Sequence, residues 1–316
     1  MAANFGKNYK ISIFGESHGE AIGINIDGIS VGTKLDFGFI TEEMKRRTPG
    51  KSDLSTPRKE DDEYEILSGY VNGRATGTPL AIIIRNRNQK SKDYNEISKK
   101  PRPSHADWSG MNRYNGYNDI RGGGHFSGRI TAPIVFAGAV AKQILKEKGI
   151  LIASHIKSIK DIQDRDFLEE DIKIETISKL RSMKLPVLDT KVETEMEKVI
   201  LNAREEKDSV GGIVEIMVIG VKAGIGDPFF ESIESELSRM LFSIPAVKGI
   251  EFGAGFDITK MTGYEANDEM YYDKNGNVKT YTNNNGGVVG GITNGMPINF
   301  KVAIKPPASI GKKQKT

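Results

Sequence analysis

The chain has no cysteine and a single tryptophan, Trp108. The first absence excludes disulfides, zinc ribbons and thiol catalysis, and it fits a reducing compartment. No apolar run approaches the roughly 20 residues needed to span a bilayer. The leading MAANFGKNYKISIFGESHG lacks the apolar core of a secretion signal. Excess charge of one sign is also missing, since 45 basic and 42 acidic side chains leave a net +3. That is too little to argue for nucleic acid as a partner, so the lysines and arginines are read locally. Together these absences point to a soluble cytoplasmic protein, with no membrane and no nucleic-acid partner. What is plentiful is glycine, 35 residues in short clusters between periodic segments, which reads as tight backbone turns rather than disorder. A chain of 316 residues can bury a sizeable core as one large domain or two ordinary ones.

One stretch stands out. PRPSHADWSGMNRYNGYNDIRGGGHFSGRIT, from Pro101 to Thr131, gathers arginines, two histidines and glycines with almost no aliphatic residue. Gly122 to Gly124 let backbone N–H groups approach a ligand without Cβ obstruction, the makings of an anion-binding concavity. A helix is expected directly afterwards, with Thr131 as N-cap and Pro133 in its first turn. Arg121 and Arg129 add planar forks suited to phosphate or carboxylate.

Elsewhere the patterning predicts strands over Lys10–Phe14 and through Ile22, Ile24 and Ile26, then over Tyr64–Val71 and Leu80–Arg85. Gly15-Glu16-Ser17-His18-Gly19 matches the G-x-S-x-G of a hydrolase nucleophile elbow, but a helix must follow such a serine and here a strand pattern does. ITEEMKRR reads as a short helix with acidic residues in its first turn and basic ones in its last. A basic loop with Arg46, Arg47, Lys51, Arg58 and Lys59 follows, and residues 86–100 read as a polar surface loop. In the second half, Ile150–Ile159 alternates as a strand around a structural His155. A charged region runs to Pro186, and an amphipathic helix carries Val192, Met196, Val199, Ile200 and Ala203 on one face. A strand over Ile213–Gly220 and a helix through Ile233, Leu237 and Leu241 come next, and then glycine-punctuated strands. Met261–Asn285 reads as an exposed, partly mobile excursion. GYVNGRATGTPLAIIIRN and GGITNGMPINFKVAIKP echo each other as glycine turn, G-x-P, strand. Layers of helices on antiparallel strand pairs are the expected class. No G-x-G-x-x-G follows a strand, so a Rossmann site is unsupported, and no metal site is expected. The residues alone imply one large site for phosphorylated or carboxylated ligands, without choosing among them.

Several segments go further. FGESHG at 14–19, RRTPGKSDLSTPRKE at 46–60, ILSGYVNGRATGTPLAIIIRN at 66–86, RPSHAD at 102–107 and DIRGGGHFSGRITA at 119–132 appear in that order. IPAVKGIEFGAGF at 244–256, GGVVGGITNG at 286–295 and KPPASI at 305–310 complete the series. In these segments the chain resembles the chorismate synthase family over essentially its whole length. The resemblance implies an α+β fold, a β-α-β sandwich with an internal pseudo-symmetric repeat, as a single domain over 1–316. It implies a lyase that converts 5-enolpyruvylshikimate 3-phosphate to chorismate by 1,4-anti elimination of phosphate, with reduced FMN as cofactor and no net redox change. The implied partners are that substrate, further copies of the chain in a homotetramer, and an external flavin reductant, with NADP as the associated nicotinamide.

Residue by residue, the resemblance makes His18 the group that protonates the departing phosphate and His105 the one that serves the reduced flavin's proton balance. Arg47, Arg58, Arg102 and Arg129 match the anionic substrate region. His125, Phe126, Ser127, Pro245, Ala246, Gly290, Lys305, Pro306, Pro307, Ala308 and Ser309 match flavin contacts. The chain also departs from the family pattern. His125 and Phe126 stand for a frequent arginine and serine, and Pro245 for a frequent asparagine, which bears on the flavin contacts. Asp53 stands for a frequent arginine, which bears on substrate affinity. KKQKT stands where the family continues into an R-H-D-P segment, so that segment is expected to be missing from 1–316.

Overall fold

The computed structural model describes residues 3–50, 54, 62–87, 100–168 and 172–316. Lys51, Asp53, Arg58, Lys59 and most of the 86–100 loop lie outside them. The chain divides into two compact units, Met1–Ile144 with Lys313–Thr316, and Leu145–Lys312.

In the first unit, β1 (Asn4–Phe5), β2 (Lys10–Gly15), β3 (Ala21–Asp27), β4 (Tyr64–Ser68) and β7 (Leu80–Arg85) form one sheet in the order β1-β2-β3-β7-β4. A small hairpin of β5 (Tyr70–Val71) and β6 (Arg74–Ala75) precedes β7. The alternation seen in the sequence sets the register. Ile22, Ile24 and Ile26 pair with Ile84, Ile82 and Leu80, and all six are fully buried. Each such side chain contributes about 1.5–3 kcal/mol of burial. Helix α1 (Phe37–Arg47) starts earlier than expected, at an Asp36 cap whose carboxylate accepts the Phe39 N–H at 3.1 Å. Glu42 and Glu43 therefore fall beyond the first turn, while Lys45, Arg46 and Arg47 occupy the last, where the helix dipole favours cations. After α2 (Asp107–Arg113) comes α3 (Thr131–Glu147), whose buried Phe136 meets Tyr64 edge-on at 4.9 Å. Thr131 is not the cap. It is the first residue of α3 and donates its hydroxyl to the Gly128 carbonyl. Ser127 caps instead, accepting the Arg129 N–H of a 3-10 turn that runs into α3.

The second unit repeats this plan. Strands β8 (Leu151–Ile159), β9 (Ile162–Gln163), β10 (Gly212–Ile219), β11 (Val247–Phe252) and β16 (Ile298–Ile304) order as β11-β16-β10-β8-β9. Helix α6 (Ile233–Leu241) joins β10 to β11 as α1 joins β3 to β4, and in both sheets the last strand slots between the two so joined. A hairpin of β14 (Val288–Val289) and β15 (Ile292–Thr293) precedes β16, as β5 and β6 precede β7. Both hairpins turn on two positive-φ residues, Asn72 and Gly73 at 46° and 82°, and Gly290 and Gly291 at 63° and 81°. That is the two-residue turn whose twist matches paired strands. The echo in the sequence is thus a repeated split β-α-β plan of an α+β fold.

Two stretches of this unit hold elements that the sequence pattern does not show. The charged region before Pro186 contains α4 (Ile174–Ser182), ahead of the expected amphipathic helix α5 (Thr190–Glu205). Leu180 anchors α4 beside Ala153, Phe167, Ile172 and Met217. The exposed Met261–Asn285 excursion carries short elements of its own. It holds the short α7 (Gly263–Ala266) and a hairpin of β12 (Met270–Tyr272) and β13 (Val278–Thr280), with Tyr271 and Tyr281 tilted together at 4.6 Å. Asp268 latches its return, accepting from Thr282 Oγ1 at 2.6 Å, the Asn284 N–H at 2.7 Å and the Asn285 N–H at 3.0 Å. Burial pushes the Asp268 carboxyl up, but these donors outweigh it and hold the group below the ordinary aspartate range. A depressed carboxyl stabilises above its unfolded value and loses that effect as pH falls through the folded one. Amide exchange at Asn284 and Asn285 should therefore stay slow down to about pH 4 and rise below it. In Asp268→Asn the rise should be present already at neutral pH.

Candidate active site

The GESHG loop lies between β2 and β3, and the triple glycine reaches it from across the first unit. The Ser17 N–H donates to the Gly124 carbonyl at 3.2 Å, and His125 Nδ1 donates to the Gly15 carbonyl at 3.0 Å. The glycines do something other than expected. Gly123 gives its N–H to the Ile120 carbonyl rather than to a ligand. A Cβ built on Gly122 would fall 2.1 Å from the His18 ring, and one on Gly124 would fall 2.0 Å from the Asp119 carbonyl. With φ of 59° and 53°, both positions suit only glycine. The cluster is therefore a seat for His18, which is 5% exposed.

No helix follows Ser17, and this serine is 1% exposed, so a nucleophile elbow is ruled out. Its buried Oγ meets no hydrogen-bond partner among the described residues. Burial, and then the nearby Asp119 carboxylate, push the Glu16 carboxyl up. Arg121, expected to reach an anion, instead grips Asp119 through Nε at 2.9 Å and Nη2 at 2.8 Å.

Two residues the sequence reading missed, Asp62 and Asn86, connect this loop to the arginines. Asn86, just past β7, donates to the Glu16 and Gly19 carbonyls at 2.9 and 2.8 Å and accepts from Arg129 Nε at 3.1 Å. Arg129 donates in turn to Asp62 Oδ1, and Arg47, at the end of α1, donates to Asp62 Oδ2 at 2.5 Å. The side chains of Asp62 and Arg129 are 1% and 3% exposed, and that of Arg47 is 18% exposed. The GESHG loop that carries His18 is thus joined through Asn86 to Arg129, and through Asp62 to Arg47, in a single unit. Two guanidiniums meet on one carboxylate here, and such planar forks are the donors suited to a phosphate or carboxylate.

The remaining candidates have local partners. Arg102 grips Asp107 through Nε and Nη2, both at 2.9 Å. Burial raises the Asp107 carboxyl, but Arg102 and then His105 outweigh it and hold it below the ordinary range. His105 Nδ1 donates to the Pro103 carbonyl at 3.0 Å. Phe126 is largely exposed and packs beside Tyr114 and over Gly110, where a Cβ would fall 2.7 Å from its ring. In the second unit, Pro245 and Ala246 lie just beyond α6, and the Lys305 N–H donates to the Ala246 carbonyl at 2.9 Å. Pro307 accepts from the Ser209 hydroxyl at 2.7 Å, and Gly290 is exposed at its hairpin turn. Pro306 and Ser309 are exposed on the same terminal strand extension, and Ala308 is half-buried. No helix among the described residues is long and apolar enough to cross a membrane.

Comparison with known proteins agrees with this arrangement of motifs. The family model for chorismate synthase matches residues 9–316. The chorismate synthase of Methanobrevibacter smithii is 43% identical over 320 residues, covering 100% of this chain and 85% of that protein. That of Methanocaldococcus jannaschii is 44% identical over 326 residues, covering 99% and 84%. A crystal structure of chorismate synthase superimposes with a TM-score of 0.76 at 30% identity, covering 95% of this chain and 84% of that one. By sequence along its whole length and by fold, the chain belongs to the chorismate synthase family.

Proposed function

We propose that this protein, as one chorismate synthase domain, removes phosphate from 5-enolpyruvylshikimate 3-phosphate by 1,4-anti elimination to give chorismate, with reduced FMN as cofactor. The observation that supports this most is the contact run from the GESHG loop, which carries His18, through Asn86, Arg129 and Asp62 to Arg47, all in one unit. Arg47 and Arg129 take the anionic groups of the substrate, and their charge stabilises what develops on the leaving phosphate. Arg102, oriented by Asp107, and Arg58 complete the arginines assigned to the substrate. His18, held against Gly122, keeps a proton for the departing phosphate. His105, fixed through Nδ1 on the Pro103 carbonyl, serves the flavin's proton balance.

The residues carried over for FMN fit that group in kind. Ala246 holds a positive φ of 75° locked by the Lys305 N–H, which sets an ammonium and the Ser309 hydroxyl on one short segment. A Cβ on Gly290 would meet open space, so the hairpin turn leaves room for a ligand. When bound, reduced FMN supplies electron density that eases phosphate loss and takes it back as the ring hydrogen leaves. A homotetramer, an external flavin reductant and a cytoplasmic location belong to the same reading.

The test is to supply photoreduced FMN and the enolpyruvyl phosphate without oxygen and to follow both products. Phosphate and chorismate should appear together in equal amounts. Phosphate release alone, or neither product, rejects the reading. Arg47→Ala should raise KM about tenfold or more with a smaller change in kcat, the scale of a lost charged hydrogen bond. An unchanged KM would remove Arg47 from the substrate site.

A further inference from the structure

We infer that the second unit holds a binding site for a free α-amino acid with a large apolar side chain, its carboxylate on Lys301 and its ammonium on Asp166. A cavity of about 490 Å³ lies over the paired strands β10 and β16, within the ~300–1,000 Å³ common for small-molecule sites. Met217 and Lys301 line it from the sheet, Asp166 and Phe167 from the run after β9, and Tyr281 and Asn284 from the return of the excursion. None of the residues assigned above to the substrate or to flavin lines it.

The polar groups of the lining decide the ligand. Both oxygens of Glu215 are engaged inside the protein, Oε2 by His155 and the Phe167 N–H and Oε1 by Asn299. The amides of Asn283 and Asn284 are engaged as well, donating to the Pro297 and Glu265 carbonyls at 2.9 and 3.1 Å. Lys301 and Asp166 are the charged pair that remains. They meet at 2.9 Å, with the lysine side chain 22% exposed and the aspartate 56%. Burial pushes Lys301 down and Asp166 up, but their mutual contact outweighs it, so both stay charged at neutral pH. Lys157, 3.2 Å from Asp166, and Glu215 and Glu251, which act on Lys301, add charges of both signs.

A ligand with one charge meets a like charge on this pair. A zwitterion meets an opposite charge at each end, and four charges then alternate. Spacing favours the α-amino acid among zwitterions. Ordinary bond lengths and angle put its nitrogen roughly 2.5 Å from its carboxyl carbon, close to the 2.9 Å between Lys301 Nζ and Asp166 Oδ1. Phe167, Met217 and Met296 give the cavity an apolar side, joined by Tyr281, which is tilted against Tyr271 at 4.6 Å. That side receives the apolar side chain of the ligand.

The probe is L-phenylalanine, added to the whole chain without FMN or the enolpyruvyl substrate, while isotope-labelled methionine methyl groups are followed by NMR. The methyl signals of Met217 and Met296 should shift and saturate. N-acetylphenylalanine lacks the ammonium and phenylalaninamide lacks the carboxylate, and each should bind about tenfold more weakly or worse, the scale of a lost charged hydrogen bond. Lys301→Met and Asp166→Asn should weaken phenylalanine to the same extent. Phenylalaninamide offers Lys301 no carboxylate, so it should bind Lys301→Met no more weakly than wild type. Shifts absent at tens of millimolar, shifts that spare both methionines, or capped ligands that bind as tightly as phenylalanine overturn the inference. So does a Lys301→Met chain that binds phenylalanine unchanged. The capped ligands are read on wild type, so a variant that fails to fold does not shield the site from rejection.

Discussion

Replacing His18 by asparagine should lower turnover about a hundredfold or more, the usual scale of lost acid–base help, while the melting temperature stays near that of wild type. Asparagine is smaller than the imidazole and polar, so the seat formed by Gly122 still accepts it without overlap. What it cannot do is hold a transferable proton near neutrality. The position of the ring matters as much as its chemistry. Gly122→Ala keeps the histidine but puts a methyl group 2.1 Å from its ring, at a φ of 59° that side chains rarely adopt. The imidazole must move, and the GESHG loop, tied to Gly124 through the Ser17 N–H, is expected to move with it. This variant should lose activity on the same scale as His18→Asn and also lose stability. Rate constants are to be measured with saturating reduced FMN, and folding is to be followed by circular dichroism. Full turnover in His18→Asn would reject the proton-holding role, and full turnover in Gly122→Ala would reject the seat.

The sequence exposed these features unequally. The strands that cradle the His18 loop were legible because the buried face of the β3–β7 pair obeys one simple period, with Ile22, Ile24 and Ile26 opposite Ile84, Ile82 and Leu80. The repeat was legible for a related reason: Asn72-Gly73 and Gly290-Gly291 are turn pairs whose backbone requirement is written in the residue type. Asp62 was not legible. It lies in the run Glu60-Asp61-Asp62-Glu63, and nothing in that string of acids singles out Asp62 as a partner for arginines. Asn86 is similar, since its four partners come from the GESHG loop, Glu20 and Arg129. The triple glycine misled for a physical reason. Absence of Cβ invites close approach by anything, and here the visitors are a histidine ring and a carbonyl. Helix α4 was missed because it is anchored by little more than Ile177 and Leu180, too few apolar positions to show a period. The hairpin β12–β13 has no buried face, so its alternation carries no hydrophobic signal.

In the second unit, Glu215→Ala should cost about 3–5 kcal/mol of stability, which for a chain of this size lowers the melting temperature by roughly 10 °C. The reason lies in what converges on that carboxylate. Glu215 is completely buried on β10 and accepts from His155 Nε2 at 2.7 Å, the Phe167 N–H at 3.0 Å and Asn299 Nδ2 at 3.0 Å. His155, on the paired strand β8 opposite Glu215, meets Asp164 through Nδ1 at 3.0 Å. Asp164 also takes the Leu188 and Asp189 N–H groups at 2.5 and 3.0 Å, which fixes the start of α5. One imidazole between two carboxylates thus fastens the middle of the sheet to the segments that flank α4. Removing Glu215 takes the acceptor from a buried ring nitrogen, a buried backbone N–H and a half-buried amide, and the buried groups each carry a desolvation penalty. His155→Ala should cost a similar amount. The double variant should then cost clearly less than the sum, because the groups orphaned by one change are partly those removed by the other. Additive losses in urea melts would mean that Glu215 and His155 act independently, and their contact would then be no more than a neighbouring hydrogen bond.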